Sequence, residues 1–251
     1  MVKGRLAAII IVLLLASGAG AQNQAQKAAK KELTPDEIIK AFTNKESEFY
    51  EAWSQYYYRQ VASVKVLTVD GAPANEAMTM VFEVVFLDDG TREVKLVERT
   101  GRLRSVIWTP EDQDVITNYQ PFALTSKDLS TYDLKYEGKE RVDELDTHVF
   151  SVRPKTTKDG KLYFQGKIWV DDTDLQIVRT VGKIVPQTMD TQFPEFETLR
   201  QLVDKKYWFP VWSHADSVLD FRNNRVRIEE TITYEGFKRF ASSVIVKPIK
   251  K

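Results

Sequence analysis

The chain predicts a mainly β, α+β fold: one long helix followed by a single large, curved antiparallel sheet. Two observations carry this. Apolar residues recur at helical spacing once, between Pro35 and Trp53, and at a spacing of two for most of the chain beyond Tyr56. The alternating stretches are divided at short intervals by Asp, Asn and Gly clusters, the composition of tight turns. Consecutive strands joined by such turns build a meander and not a wound α/β sheet.

Ahead of the helix, Lys3 and Arg5 precede an apolar run from Leu6 to Leu15, and Ala19-Gly20-Ala21 has the small-x-small form of a cleavage site. Residues 1–21 therefore read as a signal peptide, which predicts an exported, periplasmic protein cut after Ala21. The run is too short for a bilayer span, which needs about 20 apolar residues. With no cysteine in 251 residues, lipid anchoring through an acylated Cys, disulfides and thiolate chemistry are all excluded. Residues 22–32, polar and without an apolar period, read as a flexible tether, and 33–251 as one domain.

Thr34-Pro35-Asp36-Glu37 combines an N-cap hydroxyl, a proline at the first helical position and a glutamate three residues after the cap, so a helix should begin at Pro35. Ile38, Phe42, Phe49 and Trp53 then mark an apolar stripe along one side of it. From Tyr56 the period becomes two. Met78, Met80, Phe82, Val84 and Phe86 share one face of a strand that turns at Asp88-Asp89-Gly90 into Arg92–Arg99. Further alternation covers Tyr132–Glu137, His148–Val152, Leu162–Val170 and Leu175–Val181, with turns expected at Gly138, Asp159-Gly160, Asp171–Asp174 and Asn223-Asn224. Strands over 199–212, 216–222, 225–234 and 238–247 bring the expected total to ten or eleven. Residues 103–131, with a helix start at Thr109-Pro110-Glu111-Asp112, and the proline-containing loop 186–198, with Phe193 and Phe196 expected to be exposed, break the rhythm. Each fits either a lid or a plug for one end of the sheet.

The charges exclude some functions outright. There are 36 basic and 36 acidic residues, and loss of Lys3 and Arg5 with the leader leaves a net charge of −2, so no basic field for nucleic acid exists. Two isolated histidines, His148 and His214, do not make a transition-metal site. No nucleophile elbow, phosphate loop or dinucleotide fingerprint occurs. Asp171–Asp174 is too short for a calcium loop and reads as a hairpin. The expectation is a protein without catalytic residues, metal or cofactor.

Phe164-Gln165-Gly166-Lys167-Ile168-Trp169-Val170-Asp171 followed by Ile177-Val178-Arg179 resembles paired strands of the LolA/LolB-like superfamily of periplasmic lipoprotein carriers. Tyr136–Glu140 with Phe150–Pro154, Tyr207-Trp208-Phe209-Pro210-Val211 and Tyr234–Phe240 extend the resemblance over residues 130–245. It implies an unclosed β-barrel around the long helix, with an apolar concave face for acyl chains. The strand parity would then assign Met78, Met80, Phe82, Val84, Phe86, Phe150, Phe164 and Ile168 to ligand binding, the methionines serving as adaptable lining. The implied partner is the acyl chain of a lipid or lipoprotein, with outer-membrane lipoprotein sorting as the implied role. An RseB-like sensor or scaffold that binds a lipidated or membrane protein is the alternative, and a secreted carboxylate hydrolase a more distant third.

Overall fold

The computed structural model describes residues 32–87, 91–158 and 160–240. The expected leader, the tether up to residue 31, the Asp88-Asp89-Gly90 turn, Asp159 and the strand beyond Phe240 lie outside the described residues.

Helix α1 (Pro35–Trp53) begins where its cap predicts: the Glu37 amide donates to Thr34 Oγ1 and the Thr34 amide donates to Glu37 Oε2. Its stripe of Ile38, Phe42, Phe49 and Trp53 is buried. The sheet is formed by β1 (Tyr56–Leu67), β2 (Pro73–Phe86), β3 (Arg92–Arg102), β4 (Tyr132–Val142), β5 (Leu145–Pro154), β6 (Tyr163–Asp171), β7 (Ile177–Val185), β8 (Phe196–Val203), β9 (Tyr207–Phe221) and β10 (Asn224–Arg239). Its order is β3-β2-β1-β10-β9-β8-β7-β6-β5-β4, and every neighbouring pair is antiparallel.

That order leaves β3 and β4, neighbours in sequence, at opposite edges. The sheet is open, and residues 103–131 must run from one edge to the other. They do so through a short helix α2 (Pro110–Asp114), a π-helical turn (Val115–Tyr119) and a 3₁₀ turn (Asp128–Ser130). Register shifts in six of the ladders add local twist. At Gly166 opposite Gly182 the strands approach so closely that a Cβ on Gly166 would collide with Val181 O, and one on Gly182 would lie 2.5 Å from Gln165 O. Only glycine fits either position.

Several local expectations are corrected. Gly138 is not a hairpin turn but a bulge inside β4, with φ of 116°; the chain reverses after Val142, where Asp143 takes φ of 51°. The strands expected over 199–212 and 216–222 are β8 and a continuous β9, because the reversal falls at Asp204 and Lys205, both with positive φ. Leu175 belongs to a turn and not to a strand, and the register shift beside Val170 places Val181 on the convex side. Phe193 and Phe196, expected to be exposed, are buried against the concave face.

Candidate functional site

The concave face is the molecule's one extended apolar surface among the described residues, and two elements cover it. Over β1, β2, β9 and β10, Met78, Met80, Phe82 and Val84 pack with Phe49 and Trp53 of α1 and with Ile116 of the 103–131 segment. Over β5 to β8, Phe150, Phe164 and Ile168 pack with Ile38 and Phe42 of α1 and with Phe122 and Leu124. Seven of the eight residues singled out in the sequence thus share one buried face, divided between two clusters. Phe86 packs against the first cluster but is only half-buried at the end of β2, stacked on Phe240 at 4.4 Å and edge-on to Tyr57 at 4.8 Å.

Between the clusters lies a polar node. Glu46 follows Phe42 by four residues and so falls on the apolar stripe of α1. Its two carboxylate oxygens accept from Arg200 Nη1 at 3.0 and 3.1 Å, and one of them also accepts from the Ile177 amide at 3.1 Å. Arg200 also lies over the Phe49 ring at 4.4 Å and donates Nη2 to the Phe122 carbonyl. Burial raises the Glu46 carboxyl above its ordinary value and lowers the Arg200 guanidinium, while each is pulled back by the other's charge. One ion pair therefore joins α1, the sheet and the covering segment.

The same segment is held elsewhere by side chains of the concave face. Gln60 Nε2 donates to the Ile116 carbonyl at 2.6 Å, and Thr198 Oγ1 to the Gln120 carbonyl at 3.0 Å. Gln120 Nε2 donates to Glu230, a carboxyl pushed up to about 7 chiefly by burial. Ser126 is bonded to Ser47 of α1 at 3.1 Å. Residues 103–131 thus form a cap that buries Ile116, Phe122 and Leu124 and is also held by directional hydrogen bonds; its π-helical turn, a form frequent at functional sites, takes the bond from Gln60, and Gln120 directly after the turn reaches Glu230.

Beneath the cap, between Trp108, Ile116, Phe193, Ile228 and Glu230, the free space is about 50 Å³, well short of the ~300–1,000 Å³ of ordinary ligand pockets. A larger cleft of about 540 Å³ runs between α1 and the cap, walled by Tyr50, Trp53, Tyr119 and Phe122 and reaching Arg92 of β3 and Tyr132 of β4. This is the opening of the half-barrel.

Periodicity alone did not single out Gln60, Glu46 or Arg200, although each is a polar residue at an apolar position, Gln60 between Tyr58 and Ala62 and Arg200 after Phe196 and Thr198; Glu230, which beside Glu229 reads as part of a solvated strand face, is instead buried between Ile228 and Ile232. Both histidines are packed: His148 is buried and its Nδ1 lies 3.2 Å from Tyr136 Oη, and His214 stacks on Trp212. Among the described residues no group of three or more His, Asp or Glu is arranged to hold a metal, and no helix is long and apolar enough to cross a membrane.

No family model matches the chain and no curated protein matches it. Among solved structures it is similar to a DUF1329 family protein from Desulfovibrio piger, with 13% identity and a TM-score of 0.45 over 84% of this chain and 95% of that one. It is also similar to a LolA superfamily protein from Nitrosomonas europaea, at 10% identity and a TM-score of 0.36 over 84% and 95%. A third similarity is to an outer membrane lipoprotein-sorting protein domain from Vibrio parahaemolyticus, at 9% identity and a TM-score of 0.39 over 84% and 95%.

Proposed function

We propose that this is an exported, non-enzymatic binding protein of the periplasm that takes up the acyl chain of a lipid or lipoprotein on its concave face, and that it serves in transfer toward the outer membrane. The observation that carries the reading is the contrast on that face: an apolar lining under a cap attached by buried hydrogen bonds that can be broken and remade. Met78, Met80, Phe82, Val84, Phe86, Phe150, Phe164 and Ile168 are the proposed lining. Entry of a chain requires the cap to lift, since about 50 Å³ does not admit one. Each buried CH₂ contributes ~0.8 kcal/mol, which offsets cap bonds worth ~0.5–1.5 kcal/mol each, while the chain takes the place of the cap's Ile116, Phe122 and Leu124 against the concave face. Displacement of the cap and binding of cargo are then one exchange.

The test is uptake of a fluorescent fatty acid by the wild type and by variants shown to be folded by circular dichroism. Phe82→Glu or Ile168→Glu should abolish uptake, and Glu83→Lys, on the convex parity, should leave it unchanged. A wild type that binds no acyl probe, or a Glu83→Lys variant as impaired as a folded Phe82→Glu, would reject the carrier reading in favour of a scaffold that binds a membrane protein through its surface.

A further inference from the structure

At the end of the cleft between α1 and the cap, Arg92 opens the edge strand β3. Its Nη2 donates to Tyr58 Oη at 2.9 Å and its guanidinium carbon lies 5.8 Å from the Tyr58 ring centre. Its Nε is buried and has no hydrogen-bond partner. No carboxylate among the described residues forms an ion pair with it; the other charges of the cleft wall are Asp128, which caps Thr125 at 2.9 and 2.6 Å, and the exposed Glu51 and Lys127. A partly buried guanidinium whose Nε is shielded from water and which pairs with no carboxylate among the described residues has donor capacity to spare, and its rigid fork of donors fits a carboxylate or phosphate better than any neutral group. The wall beside it is aromatic, with Trp53 and Tyr119 within the cleft and Tyr50 58% exposed at its rim. An anion tied to an apolar chain meets both halves of this surface.

We propose that Arg92 binds the anionic head group, a carboxylate or phosphate, of an amphiphile whose chain lies along this cleft. The proposal rests on the acyl-binding reading and adds to it a charge requirement and an orientation: the head is held at the open edge of the half-barrel beside β3, and the chain runs inward between α1 and the cap. A neutral lipid would leave the Arg92 Nε without a hydrogen-bond partner among the described residues.

Calorimetric titration with laurate, dodecyl phosphate, 1-dodecanol and inorganic phosphate tests this on the wild type, Arg92→Gln and Arg92→Lys. The expected result is tighter binding of an anionic amphiphile than of dodecanol by the wild type. Arg92→Gln should weaken the anionic amphiphile at least about tenfold, the scale of a lost charge-assisted bond, with dodecanol unchanged and Arg92→Lys intermediate. The ranking of laurate against dodecyl phosphate assigns the head group. Equal weakening of anion and alcohol in Arg92→Gln would mean that Arg92 only supports Tyr58, and the proposal falls. Binding of dodecanol but not of either anion by the wild type also overturns it, and leaves the acyl-binding reading standing. Binding of inorganic phosphate alone, or of none of the four, overturns both.

Discussion

Helix α1 and the cap cover the same concave face by different means. α1 docks mainly through rings and aliphatic side chains, with Phe42 5.5 Å from Phe150 and Phe49 5.6 Å from Phe209; its polar contacts include the Glu46–Arg200 pair, the Arg200 guanidinium over Phe49 and the Ser47–Ser126 bond. The cap contributes Ile116, Phe122 and Leu124, but its backbone is also held by Gln60, Thr198 and Arg200 reaching up from the sheet. Apolar burial has no substitute in water other than exposure, whereas a carbonyl released by a glutamine can bond to water. A larger share of the cap's hold is therefore polar than of α1's, and the proposed uptake assigns the movement to the cap.

Breaking the helix side should cost most. Phe42→Ala removes a ring with no exposed surface and should lower unfolding free energy by about 3–5 kcal/mol in urea titration. A loss below about 1 kcal/mol would show that α1 is as replaceable as the cap.

The ion pair at the junction of both elements comes next. Glu46→Ala strands the Arg200 guanidinium and should cost about 3–5 kcal/mol, while Glu46→Leu combined with Arg200→Met should recover much of it, because desolvating two charges offsets much of their attraction. A double variant as unstable as the single would show that the pair is held by packing and not by charge.

Glu230 provides a pH test confined to the cap side. Its carboxyl is raised from 4.5 to about 7, so the folded protein holds a proton that the unfolded chain releases. Its stabilising share is complete below pH 4.5 and is lost as pH rises to 7, about 3 kcal/mol at most. The difference in stability between wild type and Glu230→Gln should change across this window and be flat above it. A difference flat throughout would rule out the assignment.

The smallest effect is the most local. Gln60→Ala leaves the Ile116 carbonyl without its donor and should cost ~1 kcal/mol globally, yet it should speed amide exchange across residues 115–124 more than across α1. Equal acceleration in both would merge the two elements into one unit.

Much of this was legible in the chain. Thr34 and Glu37 fix the start of α1, and the alternation from Met78 to Phe86 and from Phe164 to Val170 marks the inner face, because both signals are local. The polar node was also written in sequence, as Glu46 on a helical apolar stripe and Gln60 between Tyr58 and Ala62. Its meaning was not: Glu46 finds Arg200 154 residues away and Gln60 finds Ile116 56 residues away, and no local period specifies such pairings. The same holds for the opening of the barrel, which depends on β1 pairing with β10 and so leaving β3 and β4 as edges. Gly138 misled because a positive φ serves a bulge as readily as a turn.

Whether the cap opens apart from the helix is decided by native-state hydrogen exchange followed by mass spectrometry, with and without laurate. Amides of residues 115–124 should exchange through a local opening of lower free energy than those of α1 and β1, and laurate should change protection in the cap while leaving α1 as it was. Exchange of the cap and α1 together, at the free energy of global unfolding and indifferent to laurate, would refute a cap that lifts for its cargo.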